Sequence, residues 1–195
     1  MHSNQGCFYT IPKRHPCQHF EPSGSFFSFE RAGIVPDMVV LSKSISGYGL
    51  PMSLLLIKPE LDQFSPAEHN GTFRGNQLAF VGAKAALEYR EQVNLEQQVE
   101  EKARLVSDYI RTRLLPMDSR LTHRGLGLIQ GIDFAAVGDV CGKVQRACFA
   151  GGLIIERCGP QDCVLKLMPA LTITPEELTE GLEIIEKSMK QVLDR

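Results

Sequence analysis

Lys43 is the residue whose type and place point most directly to chemistry. It follows the apolar run "MVVL" at 38–41 and precedes a turn that carries Gly47 and Gly49. A lysine held at the end of a rigid strand and partly desolvated can lose its proton near neutral pH and form a Schiff base. The two glycines would let the backbone pass close to a cofactor ring. The alternative is a solvated lysine at the rim of a sheet, where most lysines lie.

A second candidate site is the segment "HNGTFRGNQLA" at 69–79. Thr72 offers a hydroxyl, and backbone amides near the start of a helix favour an anion, so the segment predicts a phosphate contact. The alternative is an ordinary loop before a helix, with Gly75 or Asn76 near the cap.

Lys166 is the third candidate, because it lies alone within the apolar run "VLKLMP". It can pair with a neighbouring side chain, extend its ammonium to solvent, or bind a carboxylate. As a carboxylate ligand it would act as a point charge and would lack the fork of an arginine.

Composition excludes several classes of function. The net charge of −2 comes with no basic arm, so nucleic-acid binding is not expected. No apolar stretch approaches the roughly 20 residues of a membrane span, and no signal-peptide pattern opens the chain. The six cysteines form no CxxC pair and have no histidine at a zinc-finger spacing. We therefore expect reduced thiols in a cytoplasmic protein without a metal site, with a Cys158–Cys163 disulfide as the alternative.

Two strands and two helices must position Lys43 and Thr72. Residues 38–41 and 50–57 are apolar runs typical of buried strands. Helical periodicity begins at Asn76 and places four side chains on one apolar face: Leu78, Val81, Ala85 and Tyr89. A second helix is predicted over 95–115.

The last third predicts an α+β unit. Residues 123–135 are predicted to form one strand, 140–149 a helix, and 152–157 and 163–169 two strands joined by a turn. The final helix has Thr174 as its N-cap, Pro175 at its first position and Glu177 completing a capping box.

The motifs "DMVVLSKSISGYGLPMS" and "GTFRGNQLA", in this order, resemble the paired signatures of class III pyridoxal-phosphate-dependent aminotransferases. In that family the strand carries the cofactor lysine, and the threonine reaches the cofactor phosphate of the neighbouring subunit. The resemblance implies pyridoxal 5'-phosphate as cofactor, Lys43 as its catalytic anchor, Thr72 as a cofactor ligand, and a homodimer. The segments at 124–128 and 169–178 follow the order of the same family.

The resemblance also implies a fold and a domain order. The expected class is α/β, namely the C-terminal part of a fold-type I pyridoxal-phosphate transferase. Residues 26–90 would be the remnant of the large cofactor domain, 91–118 a connector helix and 119–195 a small α+β domain. Residues 1–25 are predicted to be irregular and foreign to the family, because they lack the aspartate that pairs with the pyridinium nitrogen. Half of the large domain is missing, so an exposed apolar sheet face is expected.

The resemblance implies transamination of small amino-acid and aldehyde substrates. It is strongest to those members that form L-2,4-diaminobutyrate from aspartate 4-semialdehyde, with glutamate as donor, in ectoine synthesis. Many relatives carry an arginine where Lys166 stands, so its role in binding substrate is an open expectation, as is that of Arg74. The alternatives are a 4-aminobutyrate or ornithine type of aminotransferase, or a catalytically inactive fragment.

Overall fold

The chain forms two compact units, Met1–Glu96 and Gln97–Arg195. The computed structural model describes residues 7–9, 16–18, 27–47, 49–72 and 74–194. The boundaries predicted after residues 25, 90 and 118 divide the chain more finely and stay predictions.

The first unit contains two antiparallel strand pairs. Strands β1 (Cys7–Tyr9) and β2 (Pro16–Gln18) form one pair. Strands β3 (Met38–Ser42) and β4 (Ser53–Ile57) form the other, with Ser42 opposite Ser53. The first pair lies within the segment that was predicted to be irregular, and the other residues of 1–25 lie outside the described part of the chain.

The core of the first unit lies on one side of β3. Val39 and Leu41 are buried and alternate with half-buried neighbours, as the two-residue period of a strand requires. Together with Ile45 they pack against three partly buried side chains, Phe27, Phe29 and Met52. The prediction of a buried strand at 38–41 is confirmed for every second residue.

Strand β4 does not share this core. Leu54, Leu55 and Leu56 are 38%, 46% and 39% exposed. The prediction that 50–57 is buried is wrong for the described chain, because no described residues cover this strand on both faces. The expectation of an exposed apolar sheet face is confirmed.

Helix α1 (Gln77–Gln92) begins where the sequence predicts. The side-chain oxygen of Asn76 accepts hydrogen bonds from the amides of Leu78 and Ala79, at 3.1 and 3.2 Å. This cap satisfies two of the four free amides at the helix start. The predicted apolar face is nevertheless exposed, with Leu78 at 71% and Val81 at 68%, and the helix instead buries Ala79 and Ala83.

The second unit is built on a four-stranded antiparallel sheet in the order β5–β6–β8–β7. The strands are β5 (Thr122–Leu126), β6 (Ile129–Asp133), β7 (Glu156–Cys158) and β8 (Val164–Leu167). The single strand predicted over 123–135 is wrong, because the chain reverses at Gly127, where φ is +58°. The strand pair at β7 and β8 is confirmed with shifted ends.

Three helices accompany this sheet. Helix α2 (Leu95–Tyr109) starts in the first unit and continues as a π-turn, Ile110–Leu114, and a 3-10 turn, Leu115–Met117. Helices α3 (Cys141–Ala150) and α4 (Pro175–Leu193) follow. The predicted capping box of α4 is confirmed, since the Thr174 hydroxyl accepts from the Glu177 amide and the Glu177 carboxylate accepts from the Thr174 amide.

The apolar face of helix α4 contributes to the core of the second unit. Twelve of its described apolar side chains are at most 1% exposed, namely Val99, Val106, Ile110, Leu114, Leu128, Ile132, Phe134, Val144, Cys148, Leu165, Leu182 and Met189. They come from α2 and the π-turn after it, from the sheet and the residues next to β6, and from α3 and α4. The apolar face predicted for α4 therefore packs inward as expected.

A buried carboxylate joins α4 to the end of α2. Glu186 is 6% exposed and accepts hydrogen bonds from Lys190 at 2.6 Å, from the Tyr109 hydroxyl at 2.6 Å and from Arg113 at 3.1 Å. These donors, Lys190 first, lower the pKa of the Glu186 carboxyl to about 2. The carboxylate is therefore charged in the folded chain at neutral pH.

Four of the six cysteines are described with free thiols, namely Cys141, Cys148, Cys158 and Cys163. The expectation of reduced thiols is confirmed for these four, and the side chains of Cys7 and Cys17 lie outside the described residues. Burial raises the pKa of the Cys141 thiol to about 12 and also raises that of Cys148, which makes both poor nucleophiles. Within the described ranges, no helix is long and apolar enough to cross a membrane.

Candidate functional site

Lys43 opens a 3-10 turn, Lys43–Ser46, directly after β3. Its φ is +60°, a left-handed conformation that costs a residue with a Cβ roughly 1–2 kcal/mol. The second half of the turn is anchored, because Ile45 and Ser46 are buried, whereas Lys43 is exposed. The turn closes at Gly47, whose amide donates to the Ser44 carbonyl at 2.9 Å.

Gly47 rests directly on helix α1. Its φ is +69°, and a Cβ at this position would collide with the Cβ of Ala86 and lie 3.3 Å from the Gly82 carbonyl oxygen. Helix α1 fills the space that the missing side chain of Gly47 leaves. The expected approach of the Gly47 backbone to a cofactor ring stays a prediction. Gly49 is different, because a Cβ there would meet no atom of the described residues within 4 Å.

A broad, open cavity of about 1100 Å³ lies beside the lysine turn. Lys43 and Arg74, two of the predicted site residues, both line it. The cavity is completed by residues from three segments, which are Ser42, Ser44, 49–53, Gly75, Asn76 and Phe80. The structure therefore brings together the strand-end lysine and the segment that precedes α1.

The α1 side of the cavity suits an anion. The first turn of a helix carries partial positive charge, and the guanidinium of Arg74 adds a full one. Arg74 folds over Gly71, where an added Cβ would lie 3.0 Å from the arginine Nε. The charge at this edge of the cavity is therefore positive, which fits a phosphate or a carboxylate.

Thr72 is exposed and is not among the described residues that line the cavity. Its predicted role is to reach a cofactor held by a neighbouring subunit. That role stays a prediction.

Lys166 lies in the second unit, on β8, where it faces its register partner Glu156 on β7. The ammonium lies 2.5 Å from the Glu156 carboxylate, and the lysine side chain is 16% exposed. The pairing that the sequence left open is therefore present, while a contact with substrate stays a prediction. The pair borders an apolar groove of about 310 Å³ lined by residues such as Leu153, Pro169 and Leu182.

The cavity at Lys43 fits part of pyridoxal 5'-phosphate. Lys43 supplies the primary amine that its aldehyde requires, and Arg74 with the start of α1 suits its phosphate. Among the described residues that line the cavity there is no carboxylate for the pyridine nitrogen. The residues therefore match the aldehyde and phosphate groups of the cofactor but not its ring nitrogen.

Sequence reasoning missed Phe80 on the cavity wall and the contact of Gly82 and Ala86 with the lysine turn. A signal for the contact was present, because Gly82 and Ala86 are small residues four positions apart and share one face of a helix. Such a pair permits close approach of another backbone, although it does not reveal which one.

The family model "Aminotransferase class-III" matches residues 20–189. The diaminobutyrate--2-oxoglutarate transaminase of Bordetella parapertussis is 51% identical over 173 residues, which is 88% of this chain and 40% of that protein. The protein of the same name from Streptomyces avermitilis is 48% identical over 172 residues, or 87% of this chain and 40% of that protein. This chain thus spans about 40% of the length of these curated relatives.

Solved structures agree with this assignment of fold. The acetylornithine aminotransferase of Elizabethkingia anophelis is 27% identical, with a TM-score of 0.77 over 88% of this chain and 45% of that chain. The ornithine aminotransferase of Toxoplasma gondii is 24% identical, with a TM-score of 0.82 over 91% of this chain and 42% of that chain. The predicted fold class is confirmed: α/β, and part of the fold found in these larger chains.

Proposed function

This chain belongs to the class III aminotransferase family, and we propose that it is the lysine-bearing part of a diaminobutyrate transaminase. The complete enzyme would move the amino group of glutamate to the aldehyde carbon of aspartate 4-semialdehyde, giving L-2,4-diaminobutyrate and 2-oxoglutarate in ectoine synthesis. The placement of Lys43 in an open cavity beside Arg74 and the start of α1 carries the proposal. The names of the relatives at 51% and 48% identity support the choice of substrate.

Lys43 would perform the central chemistry. When bound, pyridoxal 5'-phosphate supplies an aldehyde for a primary amine and a ring that withdraws electrons from the attached carbon. The Nζ atom of Lys43 would hold the cofactor through a covalent bond. As a free amine it would act as the general base that takes a proton from the donor α-carbon, and later as the acid that returns it.

The other predicted residues would bind anionic groups. Arg74, together with the partial positive charge at the start of α1, would hold a phosphate or carboxylate at the cavity edge. Thr72 donates a hydroxyl hydrogen bond to the cofactor phosphate of the partner subunit in a cytoplasmic homodimer. Lys166 binds a substrate carboxylate only if that group replaces Glu156, its present partner at 2.5 Å.

A direct test is incubation of the chain with pyridoxal 5'-phosphate, followed by borohydride reduction and peptide mapping. We expect a visible absorbance band before reduction and stable labelling of Lys43 after it, both lost in Lys43→Ala. Lys84→Ala is the matched control, because Lys84 is 78% exposed and outside the cavity. Equal labelling of Lys43 and Lys84 in the unsubstituted chain would contradict the proposal.

The choice of substrate needs a complete fold. A chimera that joins residues 24–195 to the remaining part of the Bordetella parapertussis relative supplies it. We expect faster amino transfer to 2-oxoglutarate from L-2,4-diaminobutyrate than from 4-aminobutyrate or ornithine. A preference for either of the other two donors would assign the chain to a different class III activity.

A second candidate is a part that binds no cofactor and is catalytically inactive by itself. The observation that favours it is the lack of a carboxylate among the described residues lining the cavity. Failure of labelling in the isolated chain, together with activity of the chimera, would support this candidate.

A further inference from the structure

We propose that Ala86 of α1 is a positioning residue for Lys43, acting through Gly47. This inference rests on the proposed function of Lys43 as the cofactor anchor. It assigns to α1 a role beyond its capped start, namely to support the turn that presents the lysine.

The turn at 43–47 and helix α1 are in close van der Waals contact at Gly47. Gly47 leaves the turn at φ +69°, and its Cα stands so close to α1 that an added Cβ would collide with the Cβ of Ala86. The carbonyl oxygen of Gly82, one helical turn earlier, would lie 3.3 Å away. A larger side chain at position 86 must therefore displace the turn or the helix, because packed interiors do not absorb extra methyl groups freely.

Movement of the turn reaches Lys43 within a few bonds. Ile45 and Ser46, which lie between Gly47 and Lys43, have 8% and 0% exposure, so this short turn is tightly packed and should shift as one piece. The Gly47 amide is hydrogen-bonded to the Ser44 carbonyl, which links the contact point to the residue after the lysine. Lys43 itself has φ +60°, a conformation that a lysine adopts only where its surroundings impose it.

The same helix also carries the anion-binding edge of the cavity. Asn76 caps α1 and lines the cavity, and Phe80 lines it from the first turn of the helix. Ala86 lies farther along the same rigid element. Helix α1 therefore fixes Lys43 relative to Arg74 and the capped helix start, which are the two ends of the cavity.

The test compares Ala86→Val with Ala85→Val in the full chain. Both variants add the same two methyl groups to neighbouring positions of one helix, and Ala85 is exposed. The probe is pyridoxal 5'-phosphate trapped by borohydride, and the readout is labelling of Lys43 relative to Lys187, an exposed lysine of the second unit. Hydrogen exchange of the peptide containing 43–47 is measured on the same samples, without cofactor.

In Ala86→Val we expect the labelling ratio to fall at least about fivefold and exchange at 43–47 to rise by a similar factor. Ala85→Val should retain the values of the unsubstituted chain. A second test uses the other side of the contact. Gly47→Ala should lower the labelling of Lys43, and adding Ala86→Gly to that variant should restore part of it.

Equal labelling ratios in the two valine variants would overturn the positioning role while leaving the proposed function intact. So would the absence of any restoration in the double variant. No preference for Lys43 in the unsubstituted chain would overturn the proposed function and, with it, this role for Ala86, even if exchange showed the contact to be intact.

Discussion

In the second unit, helix α4 turns Leu178, Leu182 and Met189 inward, and each is at most 5% exposed. In the first unit, helix α1 has a weaker apolar stripe than α4, and its Leu78 is 71% and its Val81 68% exposed. Strand β4 repeats the pattern of α1, with three exposed leucines in succession. Apolar side chains at helical or strand spacing are thus buried in the second unit and exposed to solvent in the first.

The difference shows that an apolar face needs a partner on the same chain before it becomes a core. The second unit carries a sheet and two further helices against which α4 can pack. The first unit belongs to a family whose curated members are much longer, since this chain spans about 40% of two of them. Contiguous exposed apolar surface is typical of interaction sites or of aggregation.

The largest difference expected between the two units is in the stability lost when an apolar side chain is truncated. Phe134 has 0% exposure, so Phe134→Ala should lower the free energy of unfolding of the second unit by about 3–5 kcal/mol. Leu78→Ala, on the open face of α1, should change the stability by less than about 0.5 kcal/mol. Urea unfolding of the full-length variants measures both, and comparable losses would show that the face of α1 is covered in solution.

Loss of the buried carboxylate comes next. Glu186→Gln should destabilise the second unit by about 1–3 kcal/mol at neutral pH, because the negative charge and one of the two acceptor oxygens are lost. Glu183→Gln, on an exposed position of the same helix, is the matched control. An equal effect of the two substitutions would mean that the hydrogen bonds to Glu186 contribute no stability.

The pH dependence of this contribution has a definite sign. The pKa of Glu186 is about 2 in the folded chain, below its usual value of 4.5, so its contribution is complete above pH 4.5. It should be lost as the pH falls toward 2, by on the order of 2–3 kcal/mol at low salt. The test is to measure the free energy of unfolding between pH 5 and pH 2 (roughly, on either side of the two pKa values) in the unsubstituted chain and in Glu186→Gln. Only the unsubstituted chain should lose the contribution of the Glu186 carboxylate.

The two helix caps provide a smaller test. Thr174→Ala should lower the stability of the second unit by about 1 kcal/mol, since the capping box of α4 is lost. Asn76→Ala should act only on α1 and leave hydrogen exchange in α4 unchanged. Faster exchange in α4 after Asn76→Ala would show that the two units unfold together.

Polar substitutions on the exposed face of α1 should have the smallest effect on stability, but they should clearly reduce self-association of the chain. Leu78→Gln with Val81→Gln should alter the unfolding free energy by less than about 0.5 kcal/mol while reducing self-association in light scattering. Ile154→Gln, at a residue of the second unit that is 84% exposed, is the control. If the double variant associates as strongly as the unsubstituted chain, the open face of α1 does not drive association.

Features fixed by neighbouring residues were predictable from the sequence. The capping box at Thr174 and the start of α1 at Asn76 involve bonds that span three residues or fewer, and both are confirmed. The hairpin at 122–133 was missed because the apolar alternation continues through the turn at Gly127, so that one long strand and two short ones have the same pattern. Burial of β4 and α1 depends on segments elsewhere in the fold, which local periodicity does not report.

The candidate site divides in the same way. The motif around Lys43 and the segment around Arg74 were identified, and the structure places both on one cavity. The left-handed backbone of Lys43 was not foreseen, because lysine has no preference for that conformation. The contact of Gly47 with Ala86 joins two elements far apart in sequence, so only the tertiary structure reveals it.

The left-handed backbone at position 43 favours a different residue for stability than the one that the proposed reaction requires. At φ +60° a glycine meets no penalty from a Cβ, whereas lysine or alanine does. Lys43→Gly should therefore unfold at a higher temperature than Lys43→Ala. A library randomised at position 43 and selected only for heat resistance would drift toward glycine and asparagine. Lysine would survive there only under selection for its amine.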